Sequence, residues 1–353
     1  MTKIDIISGF LGAGKTTLIK KLLGEALKGQ KVVLIENEFG EIGIDGGFLK
    51  DAGIEIKEMN SGCICCSLVG DFATALHEVI DKYQPDRIII EPSGVGKLSD
   101  VVGAVKNVLS DDIVLNSATT VVDVTKCKMY LRNFGEFFKN QVEAAGTVIL
   151  SRTDLPKATD EKVKEALGLL KALNEKAAFV TTPVEELAGD KILKVMEGVQ
   201  EELLSAADLV HEEDCGCKDH DHHEHYHHEE HEHEHYHEHE EGCTCGCHDH
   251  DHDHNHEHHH HHADEVFTSC GMETTKKFTK EEIETILKTL SEDATLGTVL
   301  RAKGMVEGND GEWIYFDMVP GEADVRNGQP EYTGRICVIG SKLDEARIKA
   351  LFA

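Results

Sequence analysis

The sequence predicts an α/β fold, with a parallel sheet covered by helices on both faces, followed by a small α+β unit. Three observations carry this expectation. Over residues 1–205, short β-rich runs alternate with helical patterns. Those runs are continuously apolar, which is how a strand buried on both faces reads. Past a segment crowded with histidine and acid, strand and helix patterns resume at about Glu265.

The elements follow in order. Lys3 to Ser8 reads as a strand, with a helix from about Gly14 to Lys28. Lys31 to Glu36 (KVVLIE) is a second strand, Ser67 to Lys82 a helix and Arg87 to Glu91 (RIIIE) a third strand. Ala118 to Val124, Thr147 to Ser151 and Ala177 to Thr181 are further strands, with helices between them such as Asp160 to Leu173. From His211 to Ala263 aliphatic residues almost vanish, so this stretch cannot bury a core and is expected to be disordered without a ligand. Thr279 to Leu290 is then a helix, with Thr279 as N-cap and Glu282 at the capping-box position. Thr298 to Lys303, Glu312 to Asp317 and Arg335 to Ile339 read as strands, and Asp344 to Leu351 as a closing helix. The expected divisions are 1–205, a linker over 206–264, and 265–353.

The chain has 353 residues, 40% hydrophobic and 29% charged, with a formal net charge of -30. A polyanion repels nucleic acid and anionic membranes, so neither is expected as a partner, whereas cations are. The charge is concentrated: His211 to Glu265 holds 19 acidic residues against one lysine, and 22 of the 23 histidines. The N-terminal MTKIDIISG lacks the pattern of a signal peptide, and no apolar run is long enough to span a bilayer, so a cytoplasmic protein is expected. In a reducing compartment, 11 cysteines gathered mainly in two clusters point to metal or redox chemistry more than to disulfides.

Gly9-Phe10-Leu11-Gly12-Ala13-Gly14-Lys15-Thr16 matches GxxxxGK[ST] between a strand and a helix, the setting a phosphate-binding loop requires. The glycines let backbone N–H groups close around phosphate oxygens, and the helix N-terminus adds a favourable dipole. Lys15 is expected to reach the β- and γ-phosphates and Thr16 to coordinate Mg²⁺. Glu91-Pro92-Ser93-Gly94 ends an apolar strand, where ligands gather in open α/β sheets. Glu91 is placed to hold Mg²⁺ through water, to orient the attacking water, or simply to cap the strand at the surface. Ser151-Arg152-Thr153-Asp154 also follows a strand, where many GTPases carry Asn-Lys-x-Asp. An Asp there accepts from guanine N1–H and the 2-amino group, an edge adenine lacks, so Asp154 favours GTP over ATP; Ser151, also expected to contact the nucleotide, and Arg152 depart from the common residues.

Gly62-Cys63-Ile64-Cys65-Cys66-Ser67 places three thiols in four residues. Thiolates are soft ligands suited to Zn²⁺, and three of them leave a tetrahedral position open for exchange. A redox pair or inert buried thiols are the competing readings. In Glu36-Asn37-Glu38-Phe39-Gly40-Glu41, Glu36 or Glu41 could add an oxygen ligand or respond to the γ-phosphate. Residues 220–262 contain 21 histidines among Asp and Glu, flanked by Cys215 and Cys217 and interrupted by Cys243, Cys245 and Cys247. Imidazole suits Zn²⁺, Ni²⁺, Co²⁺ and Cu²⁺ alike, and the irregular spacing suggests a store with exchangeable modes instead of one defined site. Cys127, Cys270 and Cys337 are isolated and read as buried small hydrophobes. His77 falls within a helix and reads as structural.

Taken in order, the Gly9 to Thr16 loop, Glu36 to Glu41, Cys63 to Cys66, Glu91 to Gly94 and Ser151 to Asp154 resemble the CobW family. These are P-loop GTPases related to the urease and hydrogenase nickel-insertion GTPases. Arg301-Ala302-Lys303-Gly304 looks like that family's basic C-domain motif. The resemblance implies a P-loop NTPase sheet and a GTP-hydrolysing metallochaperone or insertase that serves a client apo-metalloprotein. Its implied cargo is Zn²⁺ most often, with Co²⁺, Ni²⁺ or Fe²⁺ for some relatives. It places the delivered ion at Cys63, Cys65 and Cys66, and the phosphates and Mg²⁺ on Gly12, Ala13, Gly14, Lys15, Thr16 and Thr17. Self-association that depends on nucleotide or metal is compatible with it.

Overall fold

The computed structural model describes residues 1–36, 55–58, 69–198 and 263–353. Two sheets organise them. The first part of the chain runs β1 (Thr2–Gly9), α1 (Lys15–Glu25), β2 (Val32–Glu36), β3 (Glu55–Glu58), α2 (Val69–Tyr83), β4 (Arg87–Glu91), α3 (Leu98–Lys106), β5 (Ile113–Asp123), α4 (Cys127–Asn133), α5 (Gly135–Glu143), β6 (Thr147–Ser151), α6 (Asp160–Leu173), β7 (Ala178–Val180) and α7 (Gly189–Glu197). Its seven strands lie in the order β3-β2-β4-β1-β5-β6-β7, and every pairing is parallel.

Continuous apolar runs become strands buried on both faces because alternate side chains point to opposite helix layers. Ile4, Ile6, Ile88, Ile90, Val148 and Leu150 join a cluster with Phe72 and Leu76 of α2, Val101 and Val105 of α3, and Phe138 of α5. Ile7, Leu34, Ile89, Val121 and Ile149 face the other way, onto Leu18, Ile19 and Leu22 of α1 and Ile192 and Met196 of α7. The expected α/β fold with helices on both faces is what the chain adopts.

Strand β5 starts five residues earlier than its apolar run, at Ile113 instead of Ala118. The extension carries Asn116 and Ser117, both buried. Their side chains donate to Asp5 Oδ1 at 2.7 and 2.6 Å, and Arg87 pairs with the same carboxylate. Arg87 also reaches Glu197 of α7 at 2.8 Å. The β1–β5 register shifts at this point, so Asn116 enters as an extra residue opposite Ile4 and Asp5. A polar pair hides a strand from hydropathy when a buried acid needs both of its donors.

The second part runs α8 (Ala263–Val266), β8 (Thr268–Thr274), α9 (Lys280–Glu292), β9 (Thr298–Glu307), β10 (Trp313–Val319), β11 (Glu322–Gly328), β12 (Gly334–Ser341) and α10 (Glu345–Leu351). Its five strands are antiparallel in the order β11-β10-β9-β12-β8. The capping box at α9 is present: the Thr279 backbone donates to Glu282 Oε2 at 2.7 Å, and the Glu282 backbone donates to Thr279 Oγ1 at 3.1 Å. One face of this sheet packs Ala302, Phe316, Met318 and Val338 with Ile283, Leu287 and Ile348 of the helices. From the other face, Met305, Trp313, Tyr315 and Cys337 join the first cluster.

Among the described residues no helix is long and apolar enough to cross a membrane. The linker and the boundary expected near residue 205 lie outside the described residues.

Candidate functional site

The glycine-rich loop lies where β1 hands over to α1. Gly14 is the N-cap of α1, at φ 102° with no side-chain cap. That left-handed conformation suits glycine, and it leaves the first N–H groups of the helix for a ligand. Gly12 is at φ 70°, and a Cβ there would stand 2.6 Å from Val319 Cγ1. Lys15 is buried, and its Nζ donates to Gly9 O at 2.9 Å.

Strand order brings Glu91 to this loop, because β4 pairs directly with β1. Thr16 Oγ1 donates to the Glu91 carboxylate at 3.2 and 3.3 Å, and Lys15 Nζ is 3.9 Å from Glu91 Oε1. One hydroxyl and one carboxylate thus converge beside the amides of the helix N-terminus. Hard oxygen donors of this kind suit Mg²⁺. The turn after Glu91 is braced by Gln141 of α5, whose Nε2 donates to Gly94 O at 3.1 Å and Gly96 O at 2.8 Å. No motif marks Gln141. Its burial within an amphipathic helix is the one feature that sets it apart.

The loop after β6 is tied to the same place. Ser151 Oγ donates to Ala13 O at 2.7 Å. Arg152 adopts φ 59°, and its Nη2 donates to Gly12 O at 3.1 Å. Its Nε lies 3.3 Å from Asp123 Oδ2, and its Nη1 pairs with Glu322. Burial works against the Arg152 charge, but Glu322 and Asp123 outweigh it and raise the pKa. The two residues that depart from the common base-reading pattern therefore brace the glycine-rich loop through its carbonyls. Asp154 is exposed on the same turn.

A cleft of about 490 Å³ opens over the loop. Gly12, Gly14, Lys15, Thr16, Thr17, Lys20, Glu91 and Arg152 line one side. The opposite wall comes from the second sheet: Arg301, Asp317, Val319, Glu322, Asp324 and Arg326. Sequence reasoning assigned none of these a place at the site beyond the likeness of the motif at Arg301. The charge alternation at 322, 324 and 326 was the available signal, since a strand places every second residue on one face.

The expected metal ligands are only partly in view. Glu36 ends β2, is buried, and stands in register with Glu91 of β4. Cys63, Cys65, Cys66 and Glu41 lie outside the described residues. Among the described residues no group of three or more His, Cys, Asp or Glu side chains is placed to hold a metal. The described elements on either side in sequence are β3, which ends at Glu58, and α2, which begins at Val69. Parallel strands share their ends, so β1, β2, β3 and β4 finish on one side of the sheet, where the glycine-rich loop and Glu91 lie. Cys127, Cys270 and Cys337 are buried free thiols, as expected, and burial pushes the Cys127 thiol up to about 12. His77 lies on α2 and is exposed.

Comparison with known proteins agrees with this architecture. Residues 3–181 match the family described as CobW/HypB/UreG, nucleotide-binding domain, and residues 267–353 match the cobalamin synthesis protein cobW C-terminal domain. The chain is 33% identical over 155 residues to the zinc chaperone YeiR of Escherichia coli, covering 44% of this chain and 47% of that protein. It is 34% identical over 186 residues to the zinc chaperone CobW of a Sinorhizobium species, covering 44% and 52%. It is 28% identical over 219 residues to the zinc-regulated GTPase metalloprotein activator 1 of Dictyostelium discoideum, covering 50% and 45%. The chain thus spans about half the length of the curated relatives it matches. With a strand-loop-helix that presents Lys15 and Thr16 to Glu91, and with both halves of its described structure matched, the chain belongs to the CobW/HypB/UreG family.

Proposed function

We propose that this protein is a GTP-hydrolysing metallochaperone that carries a transition metal, zinc foremost, to a client apo-metalloprotein. The observation that carries the reading is the convergence of Lys15, Thr16 and Glu91 beside the glycine-rich helix N-terminus. Mg²⁺, held by Thr16 and by Glu91 directly or through water, would neutralise charge on the β- and γ-phosphate oxygens. Gly9, Gly12, Ala13, Gly14 and Thr17 would cradle the phosphates through backbone groups, and Lys15 would hold the terminal phosphates. Asp154, exposed beside the braced loop, would accept from guanine. The names of the curated relatives, zinc chaperones and a zinc-regulated GTPase metalloprotein activator, support both the nucleotide and the cargo.

In this reading Cys63, Cys65 and Cys66 hold the delivered ion, with Glu36 or Glu41 as oxygen ligand or phosphate sensor. The topology supports coupling, because β2, β3 and β4 are parallel neighbours that end on the same side of the sheet, with Glu36 and Glu91 in register at the ends of β2 and β4. GTP hydrolysis would then change the affinity of the metal site. The residues of the linker over 206–264 would store metal on their histidines and acids.

The test loads the full chain with zinc and follows GTP turnover and metal transfer to candidate apo-metalloenzymes. Transfer should require hydrolysis, and zinc affinity should differ between the GTP- and GDP-bound forms, since coupling needs differential affinity. Equal zinc affinity in both forms would sink the coupling. Deleting 211–263 should lower metal capacity while sparing turnover. Storage should weaken as pH falls through about 6.5, where protons compete for imidazole. Capacity unchanged by the deletion would remove the storage role.

A further inference from the structure

The wall facing the glycine-rich loop is built by strand alternation in the second sheet. In the β10–β11 hairpin, Asp317 stands opposite Asp324, Val319 opposite Glu322, and Tyr315 opposite Arg326. These side chains share one face. Arg301 of β9 joins them, forked onto Asp317: Nη2 is 2.7 Å from Oδ2 and Nε 3.3 Å from Oδ1. The opposite face carries Ala302, Phe316 and Met318 into the cluster with α9 and α10. The apolar core of this sheet is therefore built without the charged residues. All of them line the cleft over Gly12, Gly14, Lys15 and Thr16.

Two guanidinium groups opposite an anion-binding loop fit a polyphosphate. Arginine presents planar paired N–H donors that match phosphate oxygens, and a fork already fixed by a carboxylate loses little freedom on binding. Asp317 supplies that fixing for Arg301, and Asp324 likewise pairs with Arg326. Val319 closes on Gly12, which keeps the wall in contact with the loop.

We propose that Arg301, oriented by Asp317 and accompanied by Arg326, binds the phosphates of the nucleotide, so that the second sheet completes the site. The inference rests on the GTPase reading above and names a further ligand residue for the same nucleotide. It gives the second sheet a direct stake in the number of phosphates bound.

The experiment measures equilibrium binding of GMP, GDP and a non-hydrolysable GTP analogue to the full chain and its variants, with thermal melts alongside. Arg301→Gln keeps an amide that can still bond Asp317 but removes the charge. It should weaken the GTP analogue about ten-fold or more, the loss of one charge-assisted hydrogen bond, and leave GMP within about two-fold. Arg301→Lys should recover part of the loss, and Arg326→Gln should show the same phosphate-dependent pattern more weakly. Equal weakening of all three nucleotides would mark a structural role and overturn the assignment. So would wild-type affinity for the GTP analogue in Arg301→Gln. Should Arg301→Gln unfold, Arg301→Lys and Arg326→Gln decide by the same pattern. Lys15→Ala separates the two layers. If wild type binds no better than Lys15→Ala, the GTPase reading fails; if only Lys15→Ala differs from wild type, this inference alone fails.

Discussion

Arg152, on the turn after β6, pairs with Glu322 on β11, 170 residues away in sequence. The same guanidinium donates to Gly12 O and lies against buried Asp123. One side chain thus joins the glycine-rich loop, the loop expected to read the base, and the second sheet. Replacing Arg152 with Ala should destabilise the fold by about 2 kcal/mol, because the Asp123 carboxylate keeps its hydrogen bonds from Thr125 at Oδ1 but is left buried with only Lys126 as a cation beside Oδ2. Lys126 Nζ stands 3.9 Å from Asp123 Oδ2, too far for a hydrogen bond. Glu322→Gln should cost under about 1 kcal/mol, since that carboxylate is partly solvated. Urea denaturation of the two variants checks the order, and an equal cost would contradict it.

The same pair sets a pH dependence. Burial acts to raise the Glu322 pKa, but Arg152, with Lys126 and Lys157, overcomes it and holds the carboxyl below its usual value. A carboxyl depressed by folding stabilises the fold above its unfolded pKa, about 4.3, and loses that contribution as pH falls through the folded value. The stability gap between wild type and Glu322→Gln should therefore be constant near neutrality and close below about pH 4.3. A gap that does not narrow at all as pH falls below about 4.3 would contradict the assignment.

Gly12 and Val319 should behave as a coupled pair. Gly12→Ala places a Cβ 2.6 Å from Val319 Cγ1, inside van der Waals contact, and forces a left-handed backbone onto alanine, at about 1–2 kcal/mol for the backbone alone. Val319→Ala should relieve the clash but not the backbone cost. A double-mutant cycle is expected to return a coupling of about 1 kcal/mol. Additive effects would place Val319 away from the loop in solution.

Thr16 and Glu91 touch at 3.2 Å, which favours a shared ion over separate roles. Thr16→Ala and Glu91→Gln should each raise the Mg²⁺ concentration needed for half-maximal GTP turnover, and Glu91→Gln should also lower kcat by about a hundred-fold. If Glu91→Gln lowers kcat with unchanged Mg²⁺ dependence, the carboxylate orients the water instead.

How much of this could be read beforehand varies with the physics of each element. Strands β4 (RIIIE) and β6 (TVILS) match their apolar runs residue for residue, because a strand buried on both faces writes itself as uninterrupted hydropathy. The glycine-rich loop was legible because a phosphate demands one backbone shape, and few sequences supply it. The edge strand β11 (EADVRNG) went unseen. Its alternation of Glu322, Asp324 and Arg326 with Ala323 and Val325 is too short and too polar to stand out by hydropathy, and its pairing to β10 defines it. The second wall of the cleft was equally hidden, since Arg152 and Glu322 meet only through tertiary packing. Ser151 and Arg152 looked like odd base-reading residues, and their hydrogen bonds to Ala13 and Gly12 carbonyls give them a different task.

The cysteines offer a separation that needs no nucleotide. A thiol reacts as its thiolate, so reactivity follows pKa and access. Cys127 is raised to about 12 by burial, with Asp123 and Glu165 adding to it, and Cys270 is raised by burial in the same direction. At pH 8 the thiolate fraction of Cys127 is then about three orders of magnitude below that of an ordinary cysteine near 8.5. Alkylation of the native metal-free chain, read by peptide mass spectrometry, should leave Cys127 and Cys270 unlabelled until the fold opens. Zinc should not change their labelling. It should protect Cys63, Cys65 and Cys66 if these hold the cargo. Labelling of the triad that is indifferent to zinc would return those three thiols to the redox or inert reading, whatever the rate of GTP turnover.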